Sequence, residues 1–122
     1  MTRPPWHILL IEDNPDGCAD LRQMLLSGGG RRYRFSEARS GADGVRQVLD
    51  PQTGQVDCVL LDDDLPDMSA QGVLAALRNA SGLPPCPVVV ITGLATQEGL
   101  HLLAAGAQDC IGKRWTRADS LT

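Results

Sequence analysis

The fold is decided by one stretch of the sequence, DCVLLDDDLPDM, which occupies residues 57–68. It begins with a largely apolar run that ends at Leu61, and three consecutive aspartates follow directly. Similar runs occupy residues 7–11 and 87–91, and none of the three alternates polar with apolar residues. Continuous apolar strands are typical of a parallel sheet that is buried on both faces. The pattern therefore predicts a parallel sheet in which these runs are the central strands.

Two weaker strands and several helices complete the pattern. Residues 33–37 alternate polar with apolar side chains, which indicates an edge strand, and residues 109–112 are a short candidate for the other edge. Apolar residues at helical spacing follow four candidate capping residues, namely Asn14, Ser40, Ser69 and Thr96. Because strands and helices alternate along the chain, we predict a doubly wound α/β domain with right-handed crossovers.

Composition limits the chain to one domain and argues against several functions. With 122 residues, of which 43% are hydrophobic, the chain suffices for one core covered on both faces. The net charge of −4 and the lack of an extended Lys/Arg run argue against direct binding of nucleic acid. The four cysteines form no C-x-x-C pair, which favours reduced thiols in a cytoplasmic protein. No apolar run approaches the length of a membrane span, so no membrane association is expected.

The last residues have the pattern of a helix start. Thr116 and Asp119 show capping-box spacing, yet only three residues follow Asp119. A helix this short is not stable alone. We therefore expect that residues 1–122 are one domain with a truncated last helix, excised from the N-terminal part of a longer multidomain protein. A frayed natural terminus is the alternative.

Charged and hydroxyl side chains gather where the predicted strands end. The set consists of Glu12, Asp13, Asp62, Asp63, Asp64, Thr92 and Lys113. Binding sites of open parallel α/β sheets lie beyond the carboxyl ends of the strands. Clustered carboxylates repel one another, and a divalent cation such as Mg²⁺ relieves that repulsion. A carboxylate beside Mg²⁺, with a lysine and a hydroxyl nearby, has the groups needed to accept a phosphoryl group.

The ordered motifs resemble one known family, the receiver domains of two-component response regulators, in the chemotaxis-regulator-like superfamily. The resemblance covers essentially the whole chain. It rests on IEDN at 11–14, DCVLLD at 57–62, LPDMS at 65–69, VITG at 90–93, and GAQD at 106–109 leading to Lys113. It implies a flavodoxin-like, five-stranded parallel sheet in the order 2-1-3-4-5 with helices on both faces.

The resemblance also implies a role for each site residue. In the family, a proline follows the phosphorylated aspartate by four residues, so Pro66 identifies Asp62 as the phosphoacceptor. Thr92 would bond the phosphoryl oxygen, and Lys113 would pair with the phosphate. Mg²⁺ (or Mn²⁺) would be bound by Glu12, Asp13, Asp62 and the backbone carbonyl of Asp64.

The implied activity is Mg²⁺-dependent transfer of a phosphoryl group to Asp62 from a phosphohistidine on a histidine kinase or phosphotransfer protein. The chain would be a signalling phosphoacceptor and not an enzyme, catalysing only its own phosphorylation and dephosphorylation. Its output domain would lie beyond Thr122 in the same chain, and a homodimer is left open.

Three positions depart from the family pattern in ways that bear on signalling. Cys110 stands where an aromatic residue is usual, and Arg114 stands where a proline usually follows the lysine. We therefore expect the route from Asp62 to the output surface to differ from the usual one. Asp64 occupies a position that tunes dephosphorylation in the family.

Two alternative functions stay open at this point. One is a degenerate receiver that is never phosphorylated and acts as a binding module. The other is a phosphatase of the haloacid-dehalogenase type, since DDD at 62–64 contains a D-x-D motif. A flavodoxin is disfavoured because NPDG at 14–17 lacks the Ser/Thr residues of a phosphate loop and contains Asp16, which would repel a phosphate.

Overall fold

The computed structural model describes residues 5–27, 32–78, 84–92 and 109–112. The strands are β1 (Trp6–Ile11), β2 (Tyr33–Ala38), β3 (Cys58–Asp62), β4 (Val88–Thr92) and β5 (Asp109–Gly112). The helices are α1 (Pro15–Ser27), α2 (Gly41–Leu49) and α3 (Ala70–Leu77). All neighbouring strands pair in parallel, in the order β2-β1-β3-β4-β5. The predicted flavodoxin-like sheet and its strand order are confirmed.

Side-chain capping sets the helix starts that the sequence predicts. The Ser40 hydroxyl accepts a hydrogen bond from the amide of Asp43 at 3.0 Å, and the Ser69 hydroxyl accepts one from the amide of Gly72, also at 3.0 Å. Each bond satisfies an amide that has no partner within its own helix. The helix predicted after Thr96 and the helix start at Thr116 lie outside the described residues.

The two faces of the sheet are covered by different helices, because successive strand residues point to opposite sides. On one face, Leu9, Val59 and Leu61 pack with Val73 and Leu74 of α3 in a cluster that also contacts α2. On the other face, Ile8, Leu10, Leu60 and Ile91 pack against Cys18 and Leu21 of α1. Because apolar side chains fill both faces, the polar groups collect at the two edges where strands begin and end.

The described side chains include those of three cysteines, and the described ranges contain three α-helices. Cys18 is buried, Cys58 and Cys86 are partly buried, and these three are free thiols. None of the helices within the described ranges is long and apolar enough to cross a membrane.

Candidate metal and phosphoacceptor site

Three carboxylates meet where the central strands end. Glu12 and Asp13 directly follow β1, and Asp62 is the last residue of β3, which is the neighbour of β1 in the sheet. The amide of Glu12 donates to the carbonyl oxygen of Ala38 at 2.9 Å, which holds the chain against the end of β2 as it leaves the sheet. One carboxylate oxygen from each of Glu12, Asp13 and Asp62 lies within 4.8 Å of the others. The structure thus brings together the three side chains that the sequence analysis predicts as metal ligands.

These carboxylates open into a cleft of about 550 Å³, here called the acidic cleft. Its lining residues are Glu12, Asp13, Asn14, Asp16, Gly17, Asp20, Leu21, Asp62, Asp64 and Ile91. Six of these described residues are acidic and none is basic. Asp16 and Asp20, which the sequence analysis did not assign to the site, come from α1. Their four-residue spacing, which places both on one helical face, was the available signal.

The protonation of Glu12 reflects the crowding of negative charge. Glu12 is only 9% exposed, and its pKa is raised to about 8. Burial is the largest cause, followed by the hydrogen bond to Asp62, the charge of Asp62 and the charge of Asp13, while the amide of Asn14, donating at 3.2 Å, acts in the opposite direction. A raised carboxyl pKa means that the negative form is disfavoured. The cluster is therefore electrostatically suited to a cation.

The spacing of the oxygens fits Mg²⁺. Oxygen ligands lie about 2.0–2.1 Å from Mg²⁺ in an octahedron, so two ligands of one ion are about 3–4 Å apart. Three carboxylate oxygens within 4.8 Å of one another can meet that requirement with small torsional adjustments. Asp64 lines the same cleft, and its amide donates to Oδ1 of Asp62 at 3.3 Å. The loop backbone after β3 is thus in direct contact with the central carboxylate.

The remaining predicted residues are only partly located. Thr92 is the last residue of β4 and pairs with Gly112 of β5, so its backbone ends at the same edge as Asp62, while its side chain is outside the description. Lys113 and Arg114 follow β5 and lie outside the described residues. Their roles, and that of Cys110 in the output route, stay predictions.

Asp67 lies outside the acidic cleft, and the sequence analysis assigned it no role. Asp67 accepts hydrogen bonds from the amides of Gly41 at 2.9 Å and Ala42 at 3.0 Å. The bonds from Ala42 and Gly41 lower the pKa of Asp67, because they stabilise its charged form. Asp67 therefore ties the loop that follows Asp62 to the start of α2. Its position near an N-cap serine is evident only once α2 and this loop are packed together.

The fold and the acidic cleft define the chain as a receiver domain. Residues 8–122 match the family of response regulator receiver domains, and the chain belongs to that family. It is thus a receiver domain of two-component signalling systems.

Individual relatives agree with this assignment. The chain is 33% identical over 110 residues to the TorCAD operon transcriptional regulatory protein TorR of Escherichia coli K12, covering 89% of this chain and 44% of TorR. It is 32% identical over 107 residues to a probable cyclic di-GMP phosphodiesterase of Vibrio cholerae, covering 87% of this chain and 23% of that protein. The chain thus spans less than half the length of these relatives.

Solved structures show the same architecture. The receiver domain of the sensor histidine kinase PA1611 of Pseudomonas aeruginosa has a TM-score of 0.69 and 28% identity, over 90% of this chain and 86% of that one. That structure has a magnesium ion coordinated in its active site cleft. Phosphorylated RcpA, a cyanobacterial phytochrome response regulator, has a TM-score of 0.76 over 97% of this chain and 85% of that one. At 21% identity, RcpA supports the fold alone.

Proposed function

We propose that this receiver accepts a phosphoryl group on Asp62, in a reaction that requires Mg²⁺ (or Mn²⁺) in the acidic cleft. The observation that carries the proposal is the position of Asp62. It ends a central strand, is only 3% exposed, and lies beside the carboxylates of Glu12 and Asp13. A buried carboxylate next to two others is electrostatically unfavourable, because the negative charges repel one another. A bound cation relieves that repulsion and leaves the carboxylate able to accept a phosphoryl group.

The phosphoryl donor is a phosphohistidine on a histidine kinase or phosphotransfer protein. A carboxylate oxygen of Asp62 attacks the phosphorus atom, the P–N bond breaks, and the electron pair returns to the imidazole of the donor. The product is an acyl phosphate on Asp62. Bound Mg²⁺ would supply positive charge shared between the carboxylates and the phosphoryl oxygens.

The chain's own residues position the reacting carboxylate. The amide of Asp64 donates to Oδ1 of Asp62 at 3.3 Å and orients the carboxylate. Glu12 and Asp13 would hold the cation together with Asp62, and the family resemblance adds the backbone carbonyl of Asp64. Thr92 and Lys113, which follow from the family resemblance, bind the transferred group.

The comparisons support this proposal at the level of the family. The magnesium ion in the cleft of the PA1611 receiver supports Mg²⁺ as the cation. Membership of the receiver family favours a phosphoacceptor over the phosphatase alternative. We further propose that the receiver acts in the cytoplasm and controls an output domain in the same chain, as the greater length of TorR and the phosphodiesterase supports.

Phosphorylation of the purified chain tests the assignment. We expect acetyl phosphate with Mg²⁺ to label wild type stoichiometrically and transiently, and hydroxylamine to remove the label because it cleaves acyl phosphates. Asp62→Asn should not be labelled. The matched control is Asp63→Asn, which changes the next aspartate of the same triplet and should keep the label.

Three results would contradict the proposal. Undiminished labelling of Asp62→Asn would place the phosphoryl group elsewhere. Failure of wild type to accept either acetyl phosphate or beryllofluoride in the presence of Mg²⁺ would favour the degenerate receiver. Continuous turnover of a small phosphomonoester would favour the phosphatase.

A further inference from the structure

Gly17, the third residue of α1, lies directly against the carboxyl group of Glu12. A Cβ atom built at Gly17 would lie 2.6 Å from Oε1, 2.7 Å from Cδ and 2.9 Å from Cγ of Glu12. Contacts of this kind below 3.0 Å essentially do not occur in real proteins. The end of the Glu12 side chain therefore occupies the volume in which any other residue at position 17 would begin its side chain.

The surroundings determine which of the two groups would move if a side chain were added. Helix α1 is anchored by Cys18 and Leu21, which are 0% and 3% exposed, and the amide of Cys18 donates to the carbonyl of Asn14 at 3.1 Å. The backbone of Glu12 is held to Ala38 by the bond that its amide donates. The side-chain torsions of Glu12 are softer than either backbone, although Oε1 accepts a hydrogen bond from the amide of Asn14 at 3.2 Å and the carboxyl group bonds to Asp62. An added Cβ would therefore displace the carboxylate and leave the helix in place.

The length of the acidic side chain matters here. Glutamate carries its carboxylate one methylene further from the backbone than aspartate does. Gly17 leaves open the space that this additional length takes up. The glycine at position 17 thus provides the space that the longer acid at position 12 needs.

We infer that Gly17 is a positioning residue for the metal-binding carboxylate of Glu12. The inference rests on the proposed function, in which Glu12 is a ligand of Mg²⁺. Gly17 contributes no ligand atom, and it acts by leaving the Glu12 carboxylate within reach of Asp13 and Asp62. Substitution at Gly17 consequently affects metal affinity more than folding.

The test is a titration of the metal-free chain with MgCl₂, in which isothermal titration calorimetry measures the affinity for Mg²⁺. The variants are Gly17→Ala, Glu12→Asp and the double variant that carries both changes. We expect Gly17→Ala to weaken Mg²⁺ binding by about 10-fold or more, the usual effect of disturbing the support of a metal ligand. The thermal midpoint of metal-free Gly17→Ala should equal or exceed that of wild type, because alanine is the better helix former.

The structure offers a closely matched control. Gly72 is also the third residue of its helix, α3, and a Cβ there would lie 3.3 Å from the Ser69 hydroxyl and 3.7 Å from Cε of Met68. Neither neighbour belongs to the acidic cleft. Gly72→Ala should therefore bind Mg²⁺ as wild type does.

The double variant tests whether Gly17→Ala weakens Mg²⁺ binding through steric contact with the side chain at position 12 or through a general disturbance of the site. Adding Glu12→Asp to Gly17→Ala removes the atom nearest to the added methyl group, Oε1 at 2.6 Å, while Cγ at 2.9 Å stays, so Mg²⁺ affinity should recover in part relative to Gly17→Ala alone. The inference is overturned if Gly17→Ala binds Mg²⁺ like wild type, if Gly72→Ala weakens binding equally, or if Glu12→Asp gives no recovery. Lack of Mg²⁺ binding by wild type would instead overturn the proposed metal site, and this inference with it.

Discussion

The sheet has an amino-terminal edge, where the strands begin, and a carboxyl-terminal edge, where they end. Strand β1 contributes buried polar groups to both, and these groups are paired with partners at the first edge and crowded together at the second. At the amino-terminal edge, His7 is 2% exposed and is surrounded by partners. Its Nε2 lies 2.6 Å from the Ser36 hydroxyl, and its Nδ1 lies 3.0 Å from the carbonyl oxygen of Gln55. Its amide donates to Oδ2 of Asp57 at 2.8 Å. At the carboxyl-terminal edge, Glu12 and Asp62 lie side by side, and the buried position of Glu12 together with the charge of Asp62 disfavours the negative form of Glu12.

This difference separates stability from function within one strand. Hydrogen-bonded polar groups stabilise a fold, and removing one partner leaves the others unsatisfied. Like charges in a poorly solvated cleft destabilise the metal-free fold, and a cation converts the same groups into ligands. We therefore expect substitutions at the two edges to change the free energy of unfolding in opposite directions.

The largest effect is expected at the amino-terminal edge. His7→Ala should lower the free energy of unfolding by about 2–4 kcal/mol, because it opens a cavity and removes the partners of Ser36 and Gln55. Urea denaturation measures this change, and Mg²⁺ affinity should not change. Leu49→Ala is the control, since Leu49 is 54% exposed and its loss should cost less than about 0.5 kcal/mol. Equal effects of the two substitutions would refute the stabilising role of the His7 network.

The next effect concerns the cation itself. Saturating Mg²⁺, at about 100 times its dissociation constant, should raise the free energy of unfolding by about 2.7 kcal/mol, as expected for a ligand that binds only the folded state. Thermal denaturation with MgCl₂, and with NaCl at equal ionic strength as control, measures the difference. Chelation should reverse it. If NaCl stabilises the chain equally, the effect is screening of charge and not binding.

A smaller change of opposite sign to that of His7→Ala is expected for Asp62→Asn. Removing the central negative charge removes one cause of the raised pKa of Glu12 and so lowers the cost of burying that carboxyl group, and the metal-free variant should be more stable than wild type by about 0.5–2 kcal/mol. Asp43→Asn is the control, because Asp43 already accepts hydrogen bonds from Arg46 and Gln47. Stabilisation by both substitutions would point to net charge as the cause, and the proposed local repulsion would be wrong.

The smallest effect is a pH dependence at Asp67, whose pKa is lowered by the amides of Ala42 and Gly41. A carboxyl group with a lowered pKa in the folded state contributes stability above its ordinary value of 3.8, and this contribution is lost as the pH falls through the lowered pKa. The difference in thermal midpoint between wild type and Asp67→Asn should therefore be constant at neutral pH and shrink in acid below pH 3.8. A difference that grows in acid would have the wrong sign for this contact.

Much of the fold could be predicted because a strand that is buried on both faces appears in the sequence as a continuous apolar run. The apolar runs before Glu12 and Asp62 predict buried parallel strands, and such strands end at one edge. The serines at 40 and 69 predict helix starts for an equally local reason, since a cap bonds to an amide three residues away. The grouping of Glu12, Asp13 and Asp62 follows directly from those elements.

Other features could not be predicted because they depend on contacts between segments that are distant in sequence. His7 precedes the residues of its strand that are plainly apolar, and nothing local indicates that Ser36 and Gln55 would surround its ring. Asp67 similarly resembles an ordinary loop residue until α2 places two amides against it. The packing of helices against the sheet creates these contacts.

The sequence by itself determined the alternation of strands and helices, the edge at which the carboxylates gather and the identity of the central one, Asp62. These follow from periodicity and from chain order, which are properties of the sequence. Only the tertiary structure decided that Glu12 is nearly buried, that its pKa is raised to about 8, and that Gly17 leaves room for its carboxylate. The physical reason is that desolvation, repulsion and steric exclusion depend on distances through space, which exist only once α1 has packed against the ends of β1 and β3.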